Sequence, residues 1–345
     1  MFSEKKSSMI HGVLLIALFA CASFYIADAR IIKELSFSPM IIGILLGMIY
    51  ANSLRMHLPE TWVPGIQFSS KKLLRLGIIL YGFRLTFQDI AAVGVAGIVV
   101  DAVIVAVTII GGYWLGKLLK MDKDIALLTS VGSGICGAAA VLGAEATMQT
   151  KPYKTAVAVA TVVIFGTISM FLYPIMWRAG MLDLSPEQMG IFSGATLHEV
   201  AHAVGAGNAM GDEIAKTTVI VKMIRVMMLV PVLLVLGWWV ASKGSSNGGG
   251  KVAIPWFAFW FLAVIGLNSL IEWLIPGFGV STANQIITYI DTFLLTMAMV
   301  ALGAETSFDK FKKAGAKPFL LALLIYVWLI AGGYLIVKYI TPMLL

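Results

Sequence analysis

An all-α polytopic membrane protein of about eleven transmembrane helices is the fold class this sequence predicts, and three observations carry that expectation. Hydrophobic residues fill 59% of the 345 positions and charged residues only 12%, far from the roughly 45–50% and 25% of soluble domains. Apolar stretches of about 20 residues, the length a helix needs to cross a bilayer, recur along the chain. Short sequence matches between the two halves point to an internal duplication.

The first candidate span, 10–28, follows a basic start with Lys5 and Lys6. Its apolar part is long and ends without a clear cleavage site, so it reads as a retained helix rather than a removed leader. Further spans are expected at 39–52, 71–89, 92–117, 125–148, 155–177, 188–208, 214–240, 253–275, 285–306 and 318–339. The second and seventh are the weakest, being short or rich in glycine and polar residues. The stretch "SKGSSNGGGK" at 242–251 reads as a flexible cytoplasmic loop. Cys21 and Cys136 lie in apolar stretches without CxxC spacing, so no disulfide framework is expected. The net charge of +7 fits loop lysines and arginines, and no basic run with interleaved aromatics suggests nucleic acid. The distribution of Lys and Arg places the N-terminus in the cytoplasm and the C-terminus outside.

The duplication rests on three matches in the same order. "SPMIIGILLG" from Ser38 resembles "SPEQMGIFSG" from Ser185, "KLLR" (72–75) resembles "KMIR" (222–225), and "LGAEAT" (142–147) resembles "LGAETS" (302–307). Five spans per copy is an odd number, so the second copy runs through the membrane in the opposite sense. The expected organisation is one transporter domain over 1–345, with an extra helix at 10–28, a first repeat at 39–178 and a second at 185–340. Inverted repeats of this kind build secondary transporters, whose sites form at discontinuous helices near the midplane.

Span five carries "TSVGSGICGAAAVLGAEAT", with glycines at 132, 134, 137 and 143. Such a cluster either packs closely or breaks the helix. At a break, free backbone N–H groups at a half-helix N-terminus attract an anion. The substrate-binding candidates are therefore Gly132, Ser133, Gly134, Cys136 and Gly137, together with Thr196, His198, Thr292 and Thr296. The last two come from "DTFLLTMAMVALGAET" in span ten, which the repeat offset sets opposite span five.

Ionisable groups inside a span are costly and therefore informative. Asp291, Glu145, Glu305 and Glu199 are candidates for coupling or gating, and Asp101 leans toward a structural role. Lys222 and Arg225 are candidate counter-ions for an anionic substrate or for these carboxylates. "HEVAH" (198–202) has the HExxH form of zinc proteases. On a continuous helix His198 and His202 would share one face, with Glu199 as base for a metal-bound water. No third ligand segment follows, so the zinc site is the weaker alternative, and neither a metal nor any other cofactor is expected.

Together "GSGICGAAAV", "GATLHEVAHAVGAG" and "LGAETSF", in a chain of this length, resemble the YeiH family of bacterial inner-membrane proteins described as sulfate exporters. The resemblance covers nearly the whole chain. It implies a fold akin to the bile acid sodium symporters and sodium–proton antiporters, with a panel domain, a core domain and two crossing, broken helices, mapped here onto spans five and ten. The function it implies is export of sulfate or a related sulfur anion such as sulfite by alternating access, with an organic-anion carrier as the alternative and no enzyme activity. The expected partners are the small anion, the lipid bilayer and a second copy in a homodimer, in the bacterial inner membrane.

Overall fold

The computed structural model of the chain describes residues 2–29, 38–53, 59–242, 256–306 and 315–344. The expected loop at 242–251 lies outside the described residues apart from Ser242. The α-helices run in chain order as α1 (Phe2–Ala27), α2 (Pro39–Ser53), α3 (Val63–Phe68), α4 (Leu74–Tyr81), α5 (Phe87–Leu118), α6 (Lys123–Gly134), α7 (Ala138–Met148) and α8 (Pro152–Arg178). They continue as α9 (Pro186–Thr196), α10 (Val200–Met210), α11 (Asp212–Met227), α12 (Leu229–Ser242), α13 (Trp256–Leu274), α14 (Thr282–Ala304) and α15 (Ala316–Leu344). Among the described residues seven helical stretches are long and apolar enough to cross a membrane, and α2 and α7 are shorter apolar helices. The described chain is an all-α multi-pass membrane protein.

Helix starts follow their sequence signals. Ser185 opens α9 with a capping box, its hydroxyl accepting from the Gln188 N–H while the Gln188 side chain accepts from the Ser185 N–H, and Pro186 fills the first turn. The Ser38 hydroxyl accepts from the Ile41 N–H ahead of Pro39. The Ser-Pro match between the two halves therefore has a local cause, since both segments begin a helix. Asp122 opens α6, accepting from the Asp124 and Ile125 N–H groups. Burial, the largest single influence, pushes the Asp122 carboxyl up, but hydrogen bonds from Lys154, Ile125 and Asp124 together hold it below the usual carboxylate range.

The chain divides into two compact units. The first comprises Met1–Gln88 and Phe257–Phe308, the second Asp89–Trp256 and Asp309–Leu345. In the first, α2 and α14 cross with their backbones in contact. A Cβ on Gly47 would lie 2.1 Å from the Val300 carbonyl oxygen, and one on Gly303 would lie 2.2 Å from that of Ile44. Only glycine permits that approach, the small-residue crossing common in membrane helices. Ile16, Ala20, Tyr50, Ile66, Met297 and Val300 form the core around it.

The first unit corrects one expectation. Span ten, α14, is a single unbroken helix of 23 residues. Its Leu, Met and Ala run favours continuous helix, and its one glycine, Gly303, serves the α2 crossing instead of a break.

The second unit holds the breaks. Span five splits into α6 and α7, as its glycines predict. Span seven, expected to be continuous, splits into α9 and α10 around Leu197, His198 and Glu199. The spans that split into separate half-helices are thus five and seven, not five and ten, while α5 is kinked at Gly94 (φ +54°, ψ −155°).

Candidate functional site

The α6–α7 break is made by backbone that cannot remain helical. Ile135 sits at φ −123°, ψ −87°, and Gly137 at φ +76°, ψ −136°, a conformation open almost only to glycine. In the α9–α10 break Leu197 and Glu199 are extended, at φ −63°, ψ 141° and φ −112°, ψ 155°. Each break leaves carbonyls at one half-helix end and N–H groups at the next without partners in their own helix. Where such ends are buried away from water, the protein must supply those partners.

Two cations on α11 supply them to the carbonyls. Arg225 is fully buried. Its Nε donates to the Gly134 carbonyl at 2.7 Å, Nη2 to that of Ser133 at 2.8 Å and Nη1 to that of Leu197 at 3.1 Å. Lys222, also fully buried, donates from Nζ to the Ile135 carbonyl at 2.8 Å and to the Leu197 carbonyl. Both residues join the two breaks. Beside the counter-ion role expected of them, toward an anionic substrate or toward carboxylates, they serve backbone carbonyls. Half-helix C-termini carry partial negative charge, and these donors are engaged by carbonyls at the α6 and α9 ends.

A third buried charge stands beside them. Asp101, in the middle of α5, has no exposed surface, and its oxygens have no hydrogen-bond partner among the described residues. It lies in the field of Arg225 first and of Lys222 second. What reaches its carboxylate among the described residues is the charge of these two cations.

Glu199 serves the other kind of helix end. Its backbone caps α10, but its side chain makes no bond there. Instead Oε1 accepts from the Ala138 N–H, which opens α7, at 3.3 Å. Gly137 makes room, since a Cβ there would lie 2.3 Å from Glu199 Cγ. His198 and His202 are buried, and none of their four ring nitrogens has a hydrogen-bond partner among the described residues. His202 Nδ1 stands 3.9 Å from Glu199 Oε2. Gly166 of α8 lies flush against the pair, a Cβ there falling 2.6 Å from His202 Nδ1 and 3.2 Å from His198 Cβ.

This placement corrects the geometry assumed for HEVAH. Since α10 begins at Val200, His198 lies in the break and not one turn before His202 on a shared helical face. Among the described residues no three or more His, Cys, Asp or Glu side chains gather as a metal set.

The second unit therefore brings Ser133, Gly134, Cys136, Gly137, His198, Glu199, Lys222 and Arg225 together. The Ser133 hydroxyl has no partner among the described residues. Buried Cys136 interacts electrostatically with Lys222, Arg225 and Glu199. Gly132 belongs to packing, because a Cβ there would lie 2.5 Å from Val141 Cγ2. Thr196 donates to the Phe192 carbonyl and accepts from the Tyr173 hydroxyl, so its hydroxyl is spent within the fold. Glu145 is eight residues along from Gly137, about 12 Å by helical rise, and is half-buried near the far end of α7.

Asp291, Thr292, Thr296 and Glu305 fall in the first unit. There Asp291 forms a two-point ion pair with Arg84, which also donates to the Thr288 carbonyl and the Thr292 hydroxyl. The coupling or gating candidate Asp291, itself fully buried, is thus held by an ion-pair partner. The Thr292 and Thr296 hydroxyls donate to carbonyls one turn back, and Glu305 caps the end of α14. Arg84 was the partner that sequence reasoning left unassigned, 207 positions from Asp291.

Comparison with known proteins adds the following. A family model described as "Conserved hypothetical protein 698" matches residues 11–322. A UPF0324 membrane protein of Bacteroides thetaiotaomicron is 66% identical over 342 residues, covering 98% of this chain and 100% of its own. The UPF0324 inner membrane protein YeiH of Escherichia coli is 44% identical over 327 residues, covering 94% and 92%. Among solved structures, a sodium proton antiporter from Methanocaldococcus jannaschii aligns over 95% of this chain and 99% of its own, at 11% identity and a TM-score of 0.27.

Proposed function

We propose, from the premise that the chain belongs to the family described as Conserved hypothetical protein 698, that it is a secondary transporter of the bacterial inner membrane. It exports a small inorganic oxyanion, sulfate or a related sulfur anion such as sulfite, by alternating access. One observation carries this reading: two interrupted spans meet in one unit, with Lys222 donating to carbonyls of both breaks and Glu199 of one break accepting the N–H that opens the other. Irregular backbone at membrane depth is tolerated only where protein buries it or it lines a cavity. Paired discontinuous helices are where carriers bind substrate and coupling ions.

The anion class is supported by the α7 N-terminus, whose N–H groups and dipole favour negative charge. Buried His198, His202 and the Ser133 hydroxyl stand by with hydrogen-bonding capacity unused among the described residues. The sulfur identity comes with the sequence resemblance. Energetics suit export, because a dianion leaving a negative cytoplasm gains about 4.6 kcal/mol per 100 mV, from roughly 2.3 per charge. Outward movement then needs no obligatory coupling ion.

Thermal unfolding of purified protein with sulfate, sulfite, acetate and chloride at matched ionic strength tests the anion class. A ligand of the folded state stabilises by about 2.7 kcal/mol at a hundred times its Kd, so sulfate or sulfite is expected to raise the midpoint above chloride. Stabilisation by acetate alone would favour the organic-anion carrier, and equal midpoints in all four would count against an anion site.

A further inference from the structure

We infer that the Glu199 carboxylate is a built-in stand-in for the transported anion, holding the α7 N-terminus until substrate displaces it. The inference rests on the oxyanion-carrier reading above and adds how that site is kept when no substrate holds it.

Four observations lead to it. Glu199 leaves its own half-helix uncapped and reaches across to the other one. The position it takes is the one an anion would seek, since the N–H groups at the start of a helix and the helix dipole favour negative charge together. That position is sculpted for the side chain: the backbone turns through Gly137 at φ +76°, and any Cβ there would overlap Glu199 Cγ at 2.3 Å. An alternative seat also exists. His202 is fully buried with both ring nitrogens unpartnered among the described residues, and its Nδ1 stands 3.9 Å from Glu199 Oε2. Closing that gap by about 1 Å gives an ordinary hydrogen bond. The carboxylate therefore has somewhere to go when it leaves Ala138.

Competition for the Ala138 N–H favours the exchange. With Glu199 in place, the charged groups around the breaks are two buried cations, Lys222 and Arg225, the buried carboxylate of Asp101 and the half-buried one of Glu199. A dianion added beside an undisplaced Glu199 would set like charges within a few ångströms in a poorly polarisable interior, where repulsion is strong. If it replaces Glu199 at Ala138, the α7 N-terminus stays neutralised throughout. The device also favours small substrates, because the place vacated is that of one carboxylate.

The test is equilibrium binding and initial-rate flux of sulfate and sulfite by the wild type, Glu199→Gln and Glu199→Ala. Glutamine keeps the shape and an acceptor oxygen while removing the charge, which guards against a merely unfolded variant. Removing a competitor is expected to tighten binding roughly two- to fivefold, the range set by charge at a helix N-terminus. KM should fall in parallel, and kcat should fall too, because nothing then helps expel the anion. Variants that bind with unchanged or weaker affinity, while the wild type still carries anion, would overturn this inference alone. A wild type that neither binds nor moves either anion would overturn the carrier reading and this inference together.

Discussion

Replacing Arg225 by Ala is expected to destabilise the protein by about 3–5 kcal/mol, the range for removing one partner from a buried charged network. The guanidinium holds three carbonyls, of Ser133, Gly134 and Leu197, at 2.8, 2.7 and 3.1 Å. Without it, those of Ser133 and Gly134 lose this donor in a dry interior, each at about 1–3 kcal/mol, while Leu197 keeps Lys222. Asp101 also loses the first of the two cations acting on it. Arg225→Lys should fall between wild type and Ala, because an ammonium retains the charge but not the planar fork that reaches three acceptors. Arg75→Ala is the control: it occupies the matching place in the "KLLR" segment, but its side chain is exposed, so a change within about 0.5 kcal/mol is expected. Thermal unfolding in one detergent–lipid mixture measures all three. An Arg225→Ala midpoint equal to wild type would remove the network from the account.

Gly137→Ala is the second large effect. The φ of +76° and ψ of −136° cost a non-glycine residue about 1–3 kcal/mol, and the new methyl would collide with Glu199 Cγ. Both the turn between α6 and α7 and the seating of Glu199 are then lost, so transport should fall to background in protein that still folds. Gly94→Ala separates the two causes. Gly94 also has positive φ, at +54°, but nothing lies within 4 Å of its Cβ position. It should lose comparable stability and keep its flux. Equal flux from Gly137→Ala and wild type would show that the break does not serve transport.

Much of this arrangement was legible in the sequence, and the misses have specific physical causes. The α6–α7 break announced itself because Gly132, Gly134 and Gly137 cluster inside an apolar span. The α9–α10 break did not: Thr196, Leu197, His198 and Glu199 include neither Gly nor Pro, and the Leu197 carbonyl freed there is received by Lys222 and Arg225. Carbonyls have no letter in a sequence, so those two cations read only as counter-ions for an anionic substrate or for the carboxylates within the spans. Span ten misled in the opposite direction. The repeat offset set it opposite span five and so implied a break, whereas α14 is continuous and its one glycine, Gly303, lets α2 lie against it. The ion pair of Arg84 with Asp291 joins residues too far apart in the chain for spacing to suggest it. HEVAH read as a helical motif because only the fold shows that the helix starts two residues after its first histidine.

The central claim is that the two interrupted spans of the second unit form the path of a small oxyanion. Efflux of radiolabelled sulfate and sulfite from vesicles carrying the purified protein tests it most directly. The account predicts release above protein-free vesicles that quickens when the interior is made negative and returns to background in Gly137→Ala. Release of neither anion above protein-free vesicles, at any imposed potential, would contradict it.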